Sequence, residues 1–241
     1  MYALEAAVFE NDELTSQEVQ AAESLATRLG SRVDDPVLDL ASGPGRHGRR
    51  LVQGGSDVLA VDHSFGLLTS APSRAAELRR VCADLRALPL AEAAFRSILL
   101  LGKGFGYFED SVNEAILRSA HRLLRPGGFL CVEMPDRDRY LATLPESETV
   151  DRRLDGDVLV RSTWKSRWDR HSRRLEVDER HVVVADRSTF WSGVWDVRLY
   201  DAGEIEEVLR RVGFRKVASD AVRLVEVEGA RSEVLFVGAI G

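Results

Sequence analysis

Two acidic residues stand at the ends of short apolar segments, and a glycine-rich turn separates them. Asp39 closes the first segment, which runs directly into the turn, and Asp62 follows the second. The turn contains Gly43, Gly45 and Gly48. Glycine permits a tight turn and a close approach between backbone and ligand because it has no Cβ. Since carboxylates favour positive charge, this spacing predicts a site for a nucleoside that carries a positive charge.

The same glycines also fit the G-x-G-x-x-G pattern of dinucleotide sites, with Asp62 near the distance expected of a ribose-binding acid. A pyrophosphate docks on a helix N-terminus because the amides and the helix dipole attract anions. Asp39, just before the loop, would repel those phosphates. S-adenosylmethionine carries an ammonium and a sulfonium but no phosphate, so the residues favour this cofactor over NAD.

The elements that must position these acids alternate between strand and helix along the chain. This alternation predicts an α/β fold with a doubly wound, mostly parallel, seven-stranded sheet. Ligands of such sheets bind beyond the carboxyl ends of the strands. Asp39, Asp62, Asp84 and Gly102 are all expected at that edge. The predicted parallel strands are 37–41, 57–61, 81–83, 96–101 and 129–133.

Length and charge limit the class of protein. The 241 residues predict one domain over 1–241, and the net charge of −6 gives no general attraction for nucleic acid or an anionic membrane. The acidic N-terminus lacks the features of a signal peptide, so a cytoplasmic location is expected. Cys82 and Cys131 have no metal-binding spacing and are expected to be buried thiols. No metal site is predicted.

The first 30 residues are predicted to form a lid and a helix. Thr15 and Glu18 fit a capping box, with Thr15 as the N-cap of this helix. Tyr2 and Phe9 are expected to fold over the cofactor. A later helix is predicted from Ser64 to about residue 80.

Residues 150–200 change to a period of two, which predicts a small antiparallel β insert over the substrate site. One face carries Arg161, Lys165 and Arg167, and the other carries Trp164 and Trp168. Basic residues interleaved with aromatic ones also occur in RNA-binding surfaces, so the segment 161–174 supports RNA as an alternative substrate. The tryptophan face lines a pocket or joins two copies of the chain in a homodimer.

Taken together, these segments resemble the class I, Rossmann-like S-adenosylmethionine-dependent methyltransferases, in particular the bacterial small-molecule type. Residues 37–45 resemble the first motif of that family, although Ala41 replaces its usual first glycine. Residues 83–86 resemble the adenine-reading segment. Residues 124–128 resemble the turn before the fifth strand, and 104–108 resemble the loop after the fourth.

The resemblance implies S-adenosylmethionine as cofactor and S-adenosylhomocysteine as product. It implies that Asp62 holds the ribose hydroxyls and that Asp84 with the amide of Leu85 reads adenine. The candidates near the transferred methyl group are Tyr107, Arg198 and Tyr200. The full set of expected cofactor-binding residues is Asp39, Ala41, Ser42, Gly43, Gly45, Asp62, His63, Asp84, Leu85, Leu101 and Gly102.

The expected activity is methyl transfer to a nitrogen or oxygen atom of a small-molecule metabolite, with a sugar or a natural-product intermediate as candidates. Alignment supplies much of the rate of such a displacement, so a methyltransferase needs no conspicuous catalytic residue. RNA methylation through residues 161–174 is the first alternative. A non-catalytic partner protein that binds the cofactor is the second.

Overall fold

The computed structural model describes residues 10–70, 78–154, 158–225 and 231–241. Six helices and eleven strands lie within these ranges. The helices are α1 (Asp12–Arg28), α2 (Arg46–Gln53), α3 (Phe65–Ser70), α4 (Asp110–Leu123), α5 (Arg137–Thr143) and α6 (Ala202–Val212). The strands are β1 (Val37–Leu40), β2 (Val58–Asp62), β3 (Arg79–Cys82), β4 (Phe95–Leu100), β5 (Leu124–Pro135), β6 (Ser147–Leu154), β7 (Val158–Asp169), β8 (Arg174–Val183), β9 (Thr189–Arg198), β10 (Lys216–Val225) and β11 (Arg231–Ile240).

Seven strands form the main sheet, in the order β10-β11-β5-β4-β1-β2-β3. Strands β1 to β5 pair in parallel, while β11 runs antiparallel to both β5 and β10. The predicted doubly wound, mostly parallel sheet is therefore confirmed. The chain reverses its direction of travel between β3 and β4, so the carboxyl ends of β1 and β4 border the crevice in which such sheets bind ligands.

Helices cover both faces of this sheet because its strands are apolar on both sides. On one face, alternate residues such as Val37 and Leu99 pack against α1 and α2. On the other face, residues such as Leu38 and Ile98 pack against α4 and α6. Because Asp39 and Glu133 follow the period of Val37 and Cys131, they face the α1–α2 side.

The first helix begins earlier than the sequence predicts. Asn11 is the N-cap of α1, and its side chain accepts a hydrogen bond from the amide of Leu14 at 3.0 Å. Thr15 is inside the helix, so the predicted capping box at Thr15 and Glu18 is wrong. Both side chains instead point into the protein and contact α2.

Two further predictions fail near the edge of the sheet. Within the described ranges α3 ends at Ser70, and Arg79 and Arg80 belong to β3, so no helix continues to residue 80. Cys82 is exposed although it ends a strand, because β3 is the edge strand, whereas Cys131 on β5 is buried as predicted. The expected lid contacts of Tyr2 and Phe9 lie outside the described residues.

Residues 147–198 form a separate antiparallel sheet in the order β6-β7-β8-β9. The predicted insert is thus present. It begins at residue 147, three residues earlier than expected, because its first strand is β6. The insert is tied to the main body at the loop after β4, where the amide of Arg198 donates to the carbonyl of Gly106 at 2.8 Å. None of the helices described here is long and apolar enough to cross a membrane.

Docking of α1 on the sheet depends on apolar contacts, and Leu25 is fully buried there. We expect Leu25→Ala to lower the free energy of unfolding by about 2–5 kcal/mol, because the change leaves a cavity against β11. Urea denaturation followed by circular dichroism measures this loss. Ser24→Ala, on the exposed side of the same helix, serves as control and should change it by less than about 0.5 kcal/mol. A loss below about 1 kcal/mol for Leu25→Ala would contradict the packing described.

Candidate functional site

The turn after β1 is held against β2 by hydrogen bonds to Asp62, the last residue of β2. The Gly43 amide donates to Oδ2 of Asp62 at 2.8 Å, and the Ser64 amide donates to Oδ1 at 2.8 Å. Ala41 and Gly43 have positive φ angles of 52° and 55°. A Cβ added to Gly43 would meet no atom within 4 Å, so the backbone there borders open space. The turn therefore presents its backbone beside an ionisable carboxylate, as the sequence predicts.

Asp39 is buried behind this turn. Its Oδ2 accepts a hydrogen bond from the Gly48 amide at 3.0 Å. Its Oδ1 is buried and has no hydrogen-bond partner among the described residues. Burial raises the pKa of Asp39 to about 7, although the Gly48 hydrogen bond acts in the opposite direction. A Cβ at Gly48 would lie 3.1 Å from Oδ2 of Asp39, which is a tight contact, so glycine suits this position.

A second buried acid, Glu133, lies at the same edge on β5. Its Oε2 accepts from the Gly102 amide at 2.6 Å, directly after β4. Its Oε1 has no partner within the described part of the chain. Burial raises the pKa of Glu133 to about 7, and the negative charge of Glu18 adds to this effect. The buried hydroxyl of Ser42 is likewise without a partner in the described ranges, so three polar atoms at one edge are unsatisfied.

An ion pair joins α1 to α2 beside the two buried acids. The Arg46 guanidinium donates to both carboxylate oxygens of Glu18, and it also donates to the hydroxyl of Thr15 at 2.8 Å. The Nε2 atom of His47 lies 2.8 Å from Glu18. Burial opposes the ionisation of Glu18, but the hydrogen bonds from His47 and Arg46 outweigh it and lower its pKa to about 2. Burial lowers the pKa of His47 to about 4.

This pair is also close to the residues beyond β4. A Cβ added to Gly102 would lie 3.2 Å from a guanidinium nitrogen of Arg46 and 3.3 Å from the His47 ring. Gly102 itself has a φ angle of 70°, which favours glycine. The site is therefore a continuous polar cluster under the carboxyl ends of β1, β4 and β5.

The remaining predicted cofactor residues lie along the same edge with less burial. His63 is exposed, and its Nδ1 lies 3.4 Å from Asp62. Asp84 is paired with Arg86, whose hydrogen bonds lower the pKa of Asp84 to about 2. Leu85 packs against the core beside them, and Leu101 is buried. Gly45 is the N-cap of α2 with a φ angle of 82°.

The three candidates near the transferred methyl group separate into two environments. Tyr107 is 42% exposed and its ring lies 5.8 Å from that of Trp195. Arg198 is buried, with its guanidinium 3.2 Å from Asp110 and 4.4 Å above the Tyr200 ring. The Tyr200 hydroxyl accepts from Asn113 at 3.3 Å, and burial raises the pKa of Tyr200 to about 12.

Arg198 and Tyr200 therefore sit in an internal network that supports the loop after β4. The Tyr200 ring stacks on Phe105 at 5.8 Å, and the Arg198 backbone bonds Gly106. A Cβ on Gly106 would approach the Arg198 carbonyl to 2.8 Å, so the loop and the insert fit only with glycine there. Only Tyr107 of the three presents a large exposed surface.

The two faces of the insert differ as predicted. Trp164, Trp168 and Trp195 turn inward and pack with α5 around a small apolar cluster. On the outer face the arginines are matched by acids from adjacent strands. The ion pairs are Arg161 with Asp151, Arg167 with Glu176 and Arg174 with Asp196. The basic character read from the sequence is thus largely neutralised by neighbours that the linear pattern does not show.

The sequence pattern does not identify Glu18, Arg46 or Glu133 as parts of the site. Glu133 had a visible signal, since it is a charged residue that continues the apolar run 129–132. Such a residue on a strand covered on both faces is buried, and a buried charge needs a partner or a function. The local pattern indicates a capping role for Glu18 because its partners, Arg46 and His47, are 28 and 29 residues away in the sequence.

Comparison with known proteins shows a similarity to methyltransferases. Residues 37–128 match a family model described as a methyltransferase domain. A malonyl-acyl-carrier-protein O-methyltransferase from Pseudescherichia vulneris is 30% identical over 178 residues, which cover 74% of this chain and 62% of that protein. The chain covers 42% and 51% of two further curated relatives, so it spans less than two thirds of the length of each of these three proteins.

Solved structures match over nearly the whole chain. An S-adenosylmethionine-dependent methyltransferase from Clostridium acetobutylicum has a TM-score of 0.73 at 17% identity, covering 97% of this chain and 93% of the other. An amino pentose methyltransferase from Micromonospora echinaspora, involved in calicheamicin biosynthesis, has a TM-score of 0.68 at 18% identity, covering 99% and 95%. At these sequence identities the comparison shows that the folds are similar.

The buried ion pair predicts a large effect on stability. Glu18→Gln leaves the Arg46 guanidinium without its carboxylate, and loss of one partner of a buried pair costs about 3–5 kcal/mol. Urea denaturation measures the change. Glu114→Gln removes an acid from an exposed cluster with Arg118 and Arg211, and should cost less than about 1 kcal/mol. Equal losses for the two variants would show that the α1–α2 pair is not buried as described.

The raised pKa of Glu133 predicts a dependence of stability on pH. The pKa is about 7 in the folded chain and about 4.5 for an ordinary glutamate, so the folded state binds more protons between these values. The free energy of unfolding should therefore fall as pH rises from about 4.5 to 7, by up to about 3 kcal/mol for this group. Urea denaturation across this range should show a smaller fall for Glu133→Gln. Glu207→Gln, on the exposed side of α6, should keep the original slope; an unchanged slope in Glu133→Gln would refute the assignment.

Proposed function

We propose that the chain, which is similar to class I S-adenosylmethionine-dependent methyltransferases, transfers a methyl group from S-adenosylmethionine to a nitrogen or oxygen atom of a small-molecule acceptor. The observation that carries the proposal is the pair of buried acids, Asp39 and Glu133. Each keeps one carboxylate oxygen without a partner among the described residues. A cation satisfies such groups, and a phosphate does not.

The residues at this edge fit S-adenosylmethionine part by part. Asp39 and Glu133 offer negative charge for the ammonium and the sulfonium. Asp62 has further lone pairs for the ribose hydroxyls, beside the backbone of the turn. Asp84, ionised at neutral pH, and the backbone of Leu85 are available for the adenine ring. The fit extends along one edge from β5 to the loop after β3.

When bound, the cofactor supplies a methyl group that its sulfonium activates for displacement. The contribution of the chain is alignment, which in well-oriented reactions lowers the barrier by about 7–11 kcal/mol. The loop 102–108 is fixed for this task by the Gly106 bond to Arg198 and by the stacking of Phe105 on Tyr200. A fixed loop opposite the cofactor edge holds an acceptor in one orientation.

We assign different tasks to the three candidates in this region. Tyr107 has the exposed surface that an acceptor can contact. Arg198 and Tyr200 are positioning residues, because their polar groups are engaged by Asp110, Asn113 and Glu204. The raised pKa of Tyr200 keeps its hydroxyl protonated at neutral pH, so it does not serve as a general base.

A small acceptor is favoured over RNA by the charge pattern of the insert. An RNA surface needs unpaired cations that replace the counterions of the phosphates. Three of the arginines between 161 and 174 have acidic partners instead. The likeness to an amino pentose methyltransferase over 99% of the chain also supports a small acceptor. A non-catalytic partner protein would bind the cofactor and methylate no acceptor.

Calorimetric titration with S-adenosylhomocysteine tests the cofactor site, with NAD as the comparison ligand. We expect micromolar binding of the first and no binding of the second. Asp62→Asn should weaken binding at least tenfold, because hydrogen bonds to a charged group contribute about 1.5–3 kcal/mol and tenfold corresponds to about 1.4 kcal/mol. Asp57→Asn is the matched control, since Asp57 is exposed and immediately precedes the first residue of β2, whereas Asp62 is its last.

The outcomes of this titration are distinct. Equal affinity of the Asp62→Asn and Asp57→Asn variants would remove Asp62 from the site. Binding of NAD in place of S-adenosylhomocysteine would overturn the proposed cofactor. Binding of S-adenosylhomocysteine without methyl transfer to any amine or hydroxyl compound screened would favour the non-catalytic alternative.

A further inference from the structure

We propose that Glu179, bordered by Trp164, Trp195 and Tyr107, binds a positively charged ammonium group of the acceptor. This inference rests on the proposed methyl transfer and names the chemical class of its substrate. The acceptor is then a small molecule with two features, a cationic amine and a nucleophilic nitrogen or oxygen atom. The first is held by the insert, and the second faces the cofactor edge.

Three donors fix the Glu179 carboxylate on the inner face of the insert. The indole nitrogens of Trp164 and Trp195 donate to its two oxygens at 2.7 and 2.8 Å. The Nε2 atom of His181 lies 3.0 Å from the oxygen that Trp164 contacts. The Nδ1 atom of His181 is 2.6 Å from the hydroxyl of Ser162.

The two indole donors therefore orient the charge of Glu179 without neutralising it. Indoles carry no charge, and the hydrogen bonds from His181, Trp195 and Trp164 favour the ionised carboxylate over the effect of its burial. Its side chain is only 14% exposed. A carboxylate that is ionised and mostly buried binds a cation strongly, because little water screens it.

The site lies above the loop that the proposed function uses. Tyr107, on that loop, contacts Trp195 and is close enough to Glu179 and Lys103 to respond to both charges. Lys103 directly follows Gly102, which bonds Glu133 at the cofactor edge. The chain therefore provides a continuous path of residues from the cofactor edge to Glu179.

The aromatic surroundings strengthen the choice of an ammonium. The indole nitrogens of Trp164 and Trp195 contact the carboxylate, and the Tyr107 ring lies 5.8 Å from the Trp195 ring. Aromatic faces attract cations, and such contacts are strongest with tryptophan. A carboxylate beside aromatic rings therefore combines two attractions for an ammonium.

The ammonium held here is a recognition group. A protonated nitrogen has no lone pair with which to attack a methyl group, and Glu179 stays ionised in preference to taking the proton. The methyl group is consequently received by another atom of the acceptor, or by a second nitrogen that is unprotonated.

Tryptophan fluorescence provides a direct test because all four tryptophans of the chain, Trp164, Trp168, Trp191 and Trp195, lie in the insert. The probes are glucosamine against N-acetylglucosamine, and 1,4-diaminobutane against 1,4-butanediol. We expect saturable fluorescence changes for the charged member of each pair, with at least tenfold higher affinity than for its neutral counterpart. This preference should decrease with added salt, as a charge interaction requires.

Two variants distinguish binding at Glu179 from a general effect of the protein's negative surface charge. Glu179→Gln should abolish the preference for the charged probes. Glu176→Gln, on the outer face of the same strand, should retain it, because Glu176 is exposed and paired with Arg167. Thermal unfolding verifies that both variants fold. If Glu179→Gln does not fold, the paired probes on the unmodified chain, with their salt dependence, decide the question alone.

Equal binding of charged and neutral probes to the unmodified chain would overturn the proposal, as would a preference that persists in folded Glu179→Gln. Because these titrations contain no cofactor, their result is independent of the calorimetry with S-adenosylhomocysteine. A chain that binds S-adenosylhomocysteine but shows no preference for charged probes therefore loses the ammonium site and keeps the proposed function.

Discussion

The burial of negative charge at one edge of the sheet is the constraint on which the site depends. Asp39 and Glu133 lie on strands covered by α1 and α2, and each has a single backbone donor. Removal of a carboxylate from water without a charged partner is costly, and the raised pKa values of both residues express this cost. A cationic ligand at this edge stabilises both ionised forms, so the arrangement favours binding at the expense of stability in the free chain.

The Arg46 guanidinium, which pairs with Glu18, limits this cost at Asp39, although the charge of Glu18 adds to it at Glu133. It supplies a positive charge beside both buried acids, and it fastens α1 to α2 across the edge of the site. Helix α1 thus has two attachments, an apolar one through Leu25 and a polar one through Glu18.

The insert shows the same principle around Glu179. Its outer face pairs each of several arginines with an acid, whereas its inner face holds Glu179 with uncharged donors. The difference arises from the alternation of a β-strand, which separates Glu176 and Glu179 onto opposite faces. Two sites with negative character, one under the cofactor edge and one under the insert, therefore flank the loop after β4.

Local pattern by itself determined the parallel sheet, the insert, and the placement of Asp39 and Asp62 at strand ends, because apolar periodicity and glycine-rich turns depend on adjacent residues. It failed where a side chain has a choice between near and distant partners. Glu18 resembled a capping residue until α2 was placed against α1, and the outer arginines resembled an RNA surface until β6 and β8 supplied their acids. Tertiary structure alone decided the partners of Glu133 and Glu179, since burial and pairing depend on strands that meet only in the folded sheets.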